Sequence, residues 1–392
     1  MGIERFRRMI YFDAAATTFQ KPLAVAQAMQ RALDSMTTPS RGGYREAALA
    51  AETVFACRNE AAEIFRVDTP EQIVFTMNAT HALNIAIKTL VHSGDTVVAS
   101  GYEHNAVMRP LYAIPNVQIK IADAPLFDVQ GMLHKFSELV TPQVSAVVCT
   151  HVSNVFGFVL PIEGIAELCR ERNVPLIIDA SQSAGVLPLD FAKLGAAFAA
   201  MPGHKGLYGP QGTGLLICKD TAAPLLRGGT GSLSKSHFMP EQLPDRLEAG
   251  TQNICGIAGL LEGLRFVRKT GVQTIYDYEH QIAAYAASEL GNLKELELYV
   301  SDQPACQSGV LSFRMKGLDC EEAAEKLAKC GIAVRAGLHC APLAHETAGT
   351  VDSGTIRASF SVFNTEEEVD IFVRELKEIL SKKECRNRDL FP

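Results

Sequence analysis

Residues 145–179, SAVVCTHVSNVFGFVLPIEGIAELCRERNVPLIID, indicate the fold class of the chain. The apolar and β-branched runs SAVVCT and VPLIID flank a segment with helical periodicity. Pro161 suits the first position of that helix, because its missing N–H would have no partner there. Apolar residues on one face of the helix are Ile162, Ile165, Ala166 and Cys169. A strand, a helix and a strand in this order predict two parallel strands joined by a crossover helix.

The same alternation extends from about residue 70 to residue 220. Apolar runs that predict further strands are QIVFTM (72–77), DTVVAS (95–100) and GTGLLIC (212–218), while THALNIAIKTL (80–90) predicts a helix. Buried parallel strands read as continuous hydrophobic runs separated by helices. The sequence therefore predicts an α/β fold with a buried parallel sheet.

The composition changes at residues 228–246, GGTGSLSKSHFMPEQLPDR, which are rich in Gly, Ser and Pro. This segment predicts an irregular excursion and a candidate boundary. A helical stretch from about Ile257 into the 290s then leads to strands near VLSFRM and AVRAG. A last helix is predicted to open near Thr365, which forms a capping-box pattern with Glu368. Its apolar face consists of Val369, Phe372, Val373, Leu376 and Leu380.

Composition and charge exclude several classes of protein. The chain has 392 residues, and 37 basic against 44 acidic side chains give a net charge of −7. This negative balance, without blocks of like charge, argues against nucleic-acid binding. No stretch approaches the roughly 18 apolar residues of a membrane span, and the start of the chain has no apolar signal-peptide core. We expect a soluble, cytoplasmic protein with two domains or one large α/β unit, since domains hold roughly 100–200 residues.

Ten cysteines are too few for a disulfide scaffold in a chain of this length. None have C-x-x-C spacing, so we predict no metal site. Three lie in apolar or amphipathic runs, where a thiol behaves as a small buried hydrophobe: Cys149, Cys169 and Cys218. Cys340 lies in VRAGLHCAP (334–342), a Gly- and Pro-bounded segment that predicts a loop. It is the one cysteine for which we expect a chemical role.

Residues that carry chemistry follow the predicted strands, where ligands bind in open α/β sheets. Thr80 is a predicted helix N-cap beside N–H groups that suit a phosphate, although a plain cap explains it equally well. His104 follows DTVVAS, and Asp179 ends VPLIID as a carboxylate that needs a cation, a proton or a ligand. Lys205, between glycines in PGHKGLYGPQGTG (202–214), suits Schiff-base formation, with an exposed loop lysine as an equal alternative.

The combination of these residues is more specific than any member. A lysine for a Schiff base, an aspartate one βα unit earlier to hold a pyridinium proton, and a helix start for a phosphate are what pyridoxal phosphate requires. The fingerprints G-x-G-x-x-G, G-x-x-x-x-G-K-[ST], G-x-S-x-G and H-E-x-x-H are absent. The sequence therefore favours a pyridoxal phosphate site.

Ten segments resemble, in this order, the second group of cysteine desulfurases and the related selenocysteine lyases, class V members of the fold-type I pyridoxal phosphate enzymes. They are YFDAAATT, RGGYR, NATHALN, EHNAVM, HVSNVFG, IDASQSAG, PGHKGLYGPQGTG, EAGTQN, VRAGLHCAP and TIRASFSVFNTEEEVD, and they cover nearly the whole chain. The resemblance implies a large domain with a mostly parallel seven-stranded sheet at residues 16–256. A smaller α/β C-terminal domain would follow at residues 257–392, with residues 1–15 packed on it.

The resemblance also implies roles for individual residues at the cofactor. Lys205 would carry the cofactor, Asp179 would pair with the pyridine nitrogen and His104 would stack on the ring. The phenolate oxygen and the phosphate would be held by Asn154, Gln182, Ala79, Thr80, His81 and His204, and Thr251 would reach the phosphate of the neighbouring subunit. The chain differs from the family pattern at Pro202 and Ala79, where relatives offer hydroxyls, and at Leu338, where they have a histidine.

On the substrate side, the resemblance implies that Arg357 in TIRASF clamps the substrate carboxylate, which suits its planar fork of donors. Supporting residues would be Asn154, Arg335 and Arg41. Cys340 would attack the sulfur of L-cysteine, so that alanine leaves and a persulfide remains. Arg335 and His339 would favour the Cys340 thiolate.

The expected function is a pyridoxal phosphate-dependent cysteine desulfurase, a homodimer that passes sulfur to an acceptor protein. Selenocysteine lyase is an alternative with the same cofactor residues, in which the loop cysteine discriminates between substrates. A class V aminotransferase is another, for which Cys340 would have no role. A scaffold or sulfur-relay subunit is a further alternative, against which the intact Lys205 and Asp179 argue. The lack of a dinucleotide fingerprint argues against a hydride-transfer enzyme.

Overall fold

A computed structural model of the protein describes residues 9–39, 42–220 and 222–388, with side chains up to residue 381. Its strands are β1 (Ile10–Tyr11), β2 (Ile73–Thr76), β3 (Thr96–Ser100), β4 (Gln118–Ala122), β5 (Ala146–Thr150), β6 (Leu176–Asp179), β7 (Phe198–Pro202), β8 (Gly214–Cys218), β9 (Leu296–Tyr299), β10 (Val310–Met315), β11 (Ile332–Ala333), β12 (Arg335–Gly337) and β13 (Thr355–Ser359). Its α-helices are α1 (Leu23–Ser35), α2 (Arg45–Phe65), α3 (Ala79–Leu90), α4 (Asn105–Tyr112), α5 (Val129–Leu139), α6 (Ile162–Arg172), α7 (Phe191–Leu194), α8 (Ile254–Thr270), α9 (Val272–Gly291), α10 (Cys320–Lys329), α11 (Pro342–Thr347) and α12 (Glu366–Arg388). Strands and helices alternate from β2 to β7, as the sequence predicts.

Seven strands form a large sheet in the spatial order β2-β8-β7-β6-β5-β3-β4. The predicted crossover unit is confirmed, because β5 and β6 are parallel neighbours joined by α6. The apolar face of α6 is buried at Ile162, Ile165, Ala166 and Cys169. This helix begins one residue later than predicted, because the backbone of Pro161 is not yet helical (φ −76°, ψ 66°).

Strand β8 departs from the prediction of parallel strands. It runs antiparallel to β7 on one side and to β2 on the other. The connection from β7 to β8, residues 203–213, contains no helix. Antiparallel neighbours can be joined this closely, whereas parallel neighbours need a longer crossover. The run GTGLLIC therefore predicts a buried strand but not its direction, and the sheet is mostly parallel.

Helices cover both faces of the large sheet, which explains its continuous apolar strands. On one face, α2, α5 and α8 contribute buried side chains that include Phe65, Phe136 and Leu260. On the other face, α3 and α4 contribute Leu83 and Leu111. Within the described part of the chain, no helix is both long and apolar enough to cross a membrane.

A smaller antiparallel sheet in the order β12-β13-β10-β9 forms in the last third of the chain. Helices α9, α10 and α12 pack on it around a second hydrophobic core. The N-terminal strand β1 pairs in parallel with β11, and Ile10 and Phe12 are buried in the same core. Both ends of the chain therefore build this part of the molecule.

Helix α12 begins as the capping-box pattern predicts. The N–H of Glu368 donates to the Thr365 hydroxyl and the N–H of Thr365 donates to the Glu368 carboxylate, both at 3.3 Å. The predicted apolar face is buried in the second core: Val369, Phe372, Val373, Leu376 and Leu380. This packing fixes α12 on the smaller sheet.

The region between the two sheets differs partly from its prediction. Residues 228–246 contain neither helix nor strand, as predicted. The helical stretch from about Ile257 is two helices, because Gly271 between them adopts a φ of +89°, which other residues rarely adopt. Helix α8 packs on α1 and α2, whereas α9 packs on the smaller sheet and α12. The division at residue 256 stays a prediction, and these contacts place α8 with the first core.

Candidate active site

A cavity of about 270 Å³ lies between the carboxyl ends of the large sheet and the smaller sheet. Predicted site residues in its lining are Ala79, Thr80, His104, Asn154, Asp179, Gln182, His204, Lys205, Arg335, Cys340 and Arg357. The fold thus brings together most of the residues that the sequence singles out. Their individual roles stay predictions.

Three predicted site residues fall elsewhere. The ring of His81 points back along the chain, where its Nδ1 accepts a hydrogen bond from the N–H of Met77 at 3.3 Å. Thr251 is exposed and lines a separate cavity of about 510 Å³. Arg41 lies outside the described residues. The role of Thr251 towards a neighbouring subunit stays a prediction, and His81 does not line the cavity of its own chain.

The start of helix α3 forms one end of the cavity. Its N-cap is Asn78 and not Thr80 as predicted: the Oδ1 of Asn78 accepts from the N–H of His81 at 2.9 Å. Asn78 has the extended backbone that a cap requires, whereas Thr80 already lies inside the helix. The N–H groups of Ala79 and Thr80 have no partner within a helix that starts here. This end of the cavity therefore offers an anion site.

Lys205 lies directly beyond β7 and lines the cavity. Burial lowers the pKa of its amine to about 8, against the opposing attraction of Asp179. Within the described residues, its amine has no hydrogen-bond or ion-pair partner. An unpartnered amine with a depressed pKa is the form of lysine that attacks an aldehyde.

Asp179 ends β6 and is 2% exposed. Its Oδ1 accepts from the N–H of Ser181 at 2.9 Å. No ion pair of Asp179 is present in the described part of the chain, although a buried carboxylate without a cation is costly. The missing partner therefore fits a cationic group on a bound ligand, one of the options that the sequence leaves open.

Burial keeps His104 and His204, the two histidines near Lys205, neutral. Desolvation lowers the pKa of His104 to about 4 and that of His204 to about 4. The Nδ1 of His104 accepts from the N–H of Ala106 at 2.9 Å, so its ring proton resides on Nε2. The Nδ1 of His204 lies 3.0 Å from the hydroxyl of Thr17. A neutral, oriented imidazole at residue 104 suits stacking on an aromatic ring.

Asn154 and Gln182, two of the amide side chains that line the cavity, each use one N–H within the protein. The Nδ2 of Asn154 donates to the carbonyl of His339 at 2.8 Å, and the Nε2 of Gln182 donates to the carbonyl of Ala15 at 3.0 Å. An amide nitrogen carries two donors, so one N–H of each remains available. A phenolate oxygen requires such a donor.

Cys340 is exposed on a turn between β12 and α11 and lines the cavity. His339 and Cys340 both adopt left-handed backbone conformations, with φ of +51° and +57°. The N–H of Asn105 donates to the carbonyl of Cys340, and the amide of Asn154 donates to the carbonyl of His339, both at 2.8 Å. The predicted loop is thus a turn held by residues that follow strands of the large sheet, with the thiol at the cavity.

The other thiols singled out in the sequence are buried as predicted: Cys149, Cys169 and Cys218. Burial raises the pKa of each, which makes them poor nucleophiles. His339 does not supply the positive charge expected beside Cys340, because desolvation lowers its pKa well below the usual value. Arg335, which lines the same cavity, remains as the predicted source of positive charge beside Cys340.

Arg357 in β13 is 2% exposed and lines the cavity. Its Nη1 donates to the carbonyl of Asn154 at 2.9 Å, and its Nη2 donates to the carboxylate of Asp13 at 2.6 Å. Asp13 is part of YFDAAATT, but the sequence gives no reason to assign it a role. It lies 344 positions from Arg357, and no local pattern signals a pairing over that separation.

Glu103 is a second residue that sequence reasoning misses. It is fully buried, and its Oε1 accepts from the hydroxyl of Ser100 at 2.5 Å and from the N–H of Thr150 at 2.6 Å. Burial, reinforced by the charge of Asp179, raises the pKa of Glu103 to about 8. Glu103 is therefore protonated at neutral pH. Its position directly before His104, three residues after the buried strand β3, is the one signal in the sequence that points to it.

Comparison with known proteins identifies the family. A family model described as Aminotransferase class-V matches residues 10–372. The chain belongs to this family. Class-V aminotransferase relatives of this kind depend on pyridoxal phosphate, so the predicted family and cofactor are confirmed.

Relatives within the class-V aminotransferase family carry the name cysteine desulfurase. A probable cysteine desulfurase of Mycolicibacterium paratuberculosis is 34% identical over 95% of this chain, which spans only 55% of that protein's length. A second one, from Methanothermobacter thermautotrophicus, is 32% identical over 96% of both chains. The apo structure of cysteine desulfurase from Thermococcus onnurineus NA1 matches with a TM-score of 0.87, 29% identity and 95% coverage of both chains. The predicted fold-type I architecture is confirmed.

The residues of the cavity fit pyridoxal phosphate. The unpartnered amine of Lys205 suits the aldehyde, and the carboxylate of Asp179 lacks the cation that a protonated ring nitrogen would supply. Free N–H groups at the start of α3 suit the phosphate. Gly214 permits this close packing, because a Cβ there would lie 2.9 Å from the Cα of Asn78.

Proposed function

We propose that the protein is a cysteine desulfurase that converts L-cysteine to L-alanine and carries the released sulfur as a persulfide on Cys340. The observation that carries this proposal is the exposed thiol of Cys340 in the same cavity as Lys205, Asp179 and Arg357. A class V aminotransferase has no need of a thiol at that position. The names of the relatives support the same activity.

The cofactor would be held by the residues that the resemblance implies. Lys205 binds its aldehyde, Asp179 its ring nitrogen, His104 a ring face and the start of α3 its phosphate. Asn154 and Gln182 each offer one N–H to the phenolate oxygen. When bound, pyridoxal phosphate supplies an electron-withdrawing ring that stabilises negative charge at the substrate Cα.

Lys205 is the group that moves a proton at the substrate Cα. Its amine, with a pKa of about 8, is close to the working pH, where general acid–base catalysis is most effective. Burial raises the pKa of Glu103, the neighbouring carboxyl, to about 8, so Glu103 adds no second negative charge beside Asp179 at neutral pH. Arg357 binds the substrate carboxylate, and Arg335 adds a second positive charge on the same side.

Cys340 accepts the sulfur. Its thiolate attacks the sulfur of the substrate, so that an S–S bond forms as the C–S bond breaks. The electron pair left on the substrate Cβ takes up a proton, and alanine is released. The persulfide on the exposed Cys340 is then open to attack by the thiol of an acceptor protein.

The proposal also includes an oligomeric state and a cellular compartment. We infer a homodimer in the cytoplasm, in which the exposed Thr251 of one subunit reaches the phosphate of the other. The separate cavity that Thr251 lines, on a different part of the surface from the cofactor cavity, supports this arrangement.

A substrate panel tests the activity. Wild type and Cys340→Ala are compared side by side for alanine formation from L-cysteine and from L-selenocysteine. We expect wild type to use L-cysteine and the variant to lose that reaction. A variant that keeps full turnover on L-selenocysteine, while wild type hardly uses L-cysteine, would instead identify a selenocysteine lyase. Conversion of the cofactor to its pyridoxamine form, reversed by a keto acid, would identify an aminotransferase.

A further inference from the structure

The surroundings of Arg357 contain a charge partner with no assigned role. Arg357 is the largest fully buried side chain in the described part of the chain. Its guanidinium group contacts the Asp13 carboxylate at 2.6 Å through Nη2 and the Asn154 carbonyl at 2.9 Å through Nη1. Its Nε is buried and has no partner in the described residues. Two corners of the guanidinium are thus held by the protein and one is not.

Asp13 contacts Arg357 but is not part of the cavity lining, to which Arg357 belongs. The backbone of Asp13 is fixed by a parallel bridge to Ser359, and the next residue, Ala14, donates its N–H to the carbonyl of Ser359 at 3.3 Å. The hydroxyl of Tyr11 donates to the carbonyl of Asp13 at 3.2 Å. The carboxylate therefore holds Arg357 without itself taking up part of the cavity lining, where a ligand would bind.

The charges around Arg357 explain why it is paired with Asp13. Desolvation lowers the pKa of Arg357, and the charge of Asp13 opposes that change. Arg335 is the antiparallel partner of Arg357 across β12 and β13, so the two cations are neighbours in the sheet. Without Asp13, a buried guanidinium would face another cation and would have no counter-ion, which is a strongly unfavourable arrangement. The side chain would then turn away from its present orientation.

We propose that Asp13 is a positioning residue that orients Arg357 and so sets the preference of the site for substrates with an α-carboxylate. This inference rests on the proposed function, because it assigns to Arg357 the binding of the substrate carboxylate. Asp13 touches neither substrate nor cofactor. It acts by holding the guanidinium fork in the direction that a carboxylate needs for two parallel hydrogen bonds.

The test uses the holoenzyme with Asp13→Ala and Asp13→Asn. For Asp13→Ala we expect the KM for L-cysteine to rise about tenfold or more with kcat within about twofold, since removal of uniform binding raises KM alone. Asp13→Asn keeps an acceptor oxygen for Nη2 and should recover most of the loss. Glu297→Ala is the matched control, because it removes the carboxylate from an arginine pair of the same sheet, with Arg314 at 2.7 Å, away from the cavity.

Two ligands separate positioning from a general structural role. Binding of L-alanine and of cysteamine, which lacks a carboxylate, is followed by the visible absorbance of the holoenzyme. We expect Asp13→Ala to weaken binding of L-alanine about tenfold and to leave cysteamine unchanged. Equal weakening of both ligands, an unchanged KM, or a lower KM caused by loss of a competing carboxylate would each overturn the proposal.

Two further outcomes are distinguishable. If Asp13→Ala does not fold, the proposal is judged on Asp13→Asn, which should weaken L-alanine binding about threefold with no change for cysteamine; no selective change would overturn it. If wild type releases no alanine from L-cysteine, the proposed activity fails, while the comparison of L-alanine with cysteamine still decides the role of Asp13.

Discussion

The cavity has two sides, which differ in whether their buried charged groups are paired within the protein. The lysine side (His104, Asp179 and Lys205) lies at the ends of strands in the large sheet, and within the described residues its carboxyl and its amine have no ion-pair partner. The arginine side (Arg335, Cys340 and Arg357) belongs to the smaller sheet and its turn, and its buried cation already has a counter-ion, Asp13. The lysine side therefore lacks charge partners until a resident ligand binds, whereas the buried guanidinium of the arginine side is paired with a carboxylate before any substrate arrives.

This difference fits the two kinds of ligand. A cofactor stays bound through many turnovers, so a site whose charges are satisfied only by that cofactor also gains stability from it, by mass action. A substrate must enter and leave in each turnover. A site whose geometry is fixed before the substrate binds needs little free energy to order its side chains in each cycle.

Loss of Lys205 should have the largest effect. Lys205→Ala removes both the group that binds the aldehyde and the group that moves the proton, so we expect alanine formation to fall by at least about 10³-fold. The measurement is alanine release together with the visible absorbance of the protein. Lys193→Ala, at an exposed lysine of α7, is the control and should behave as wild type. An active, coloured Lys205→Ala protein would contradict the assignment of the lysine side.

Loss of the thiol should leave the lysine side intact. For Cys340→Ser we expect roughly 100-fold less alanine from L-cysteine, with unchanged cofactor binding, because only the sulfur acceptor is removed. Cys255→Ser, at a partly buried thiol away from the cavity, is the control. Undiminished turnover of Cys340→Ser in the presence of a good reductant would rule out a persulfide on Cys340.

The charge of Asp179 should be visible in the pH dependence of cofactor capture. In cofactor-free protein the neutral amine of Lys205 reacts, so the capture rate should rise with pH and level off above a midpoint near 8. Because Asp179 raises the pKa of Lys205, Asp179→Asn should move this midpoint to lower pH. Asp123→Asn, an exposed site, should not. A midpoint that stays in place or moves to higher pH would show that Asp179 does not raise the pKa of Lys205.

Glu103 should produce the smallest effect, on stability alone. Its folded-state pKa of about 8 lies above the ordinary 4.5, so its contribution to stability is present below pH 4.5 and is lost as the pH rises to 8. Glu103→Gln cannot ionise, so between pH 5 and pH 9 it should lose less stability than wild type. Unfolding by denaturant at both pH values measures the difference, with Glu138→Gln as an exposed control. Identical pH dependence of wild type and variant would mean that Glu103 is not buried as a neutral acid.

The lysine side was largely predictable from the sequence, and the arginine side was not. His104 follows and Asp179 ends a predicted apolar strand, and strand ends at one edge of a parallel sheet must converge. Lys205 is marked by its position between glycines. Arg357 is assigned by resemblance, since nothing local places β13 opposite the large sheet, and Cys340 is marked by its loop segment but receives its role only from the resemblance. Asp13 escapes both routes, because its only signal is a contact across nearly the whole chain.

The remaining errors have local causes. The direction of β8 depends on whether its connection contains a helix, which an apolar run does not reveal. The sequence does not distinguish Asn78 from Thr80 as the cap of α3, because both precede an apolar periodicity and only backbone conformation selects Asn78. The neutral state of His339 follows from its burial, which its place in a Gly-bounded segment conceals.

The pairing of Asp13 with Arg357 also bears on how the chain is made. Synthesis is vectorial, and domains fold as their residues emerge, so the strands from β2 to β8 can assemble while the last third of the chain is still inside or attached to the ribosome. Asp13 has no counter-ion until Arg357, 344 positions later, has been synthesised. A chain that ends before β13 therefore possesses Lys205 but lacks Arg357, the residue proposed to bind the substrate carboxylate.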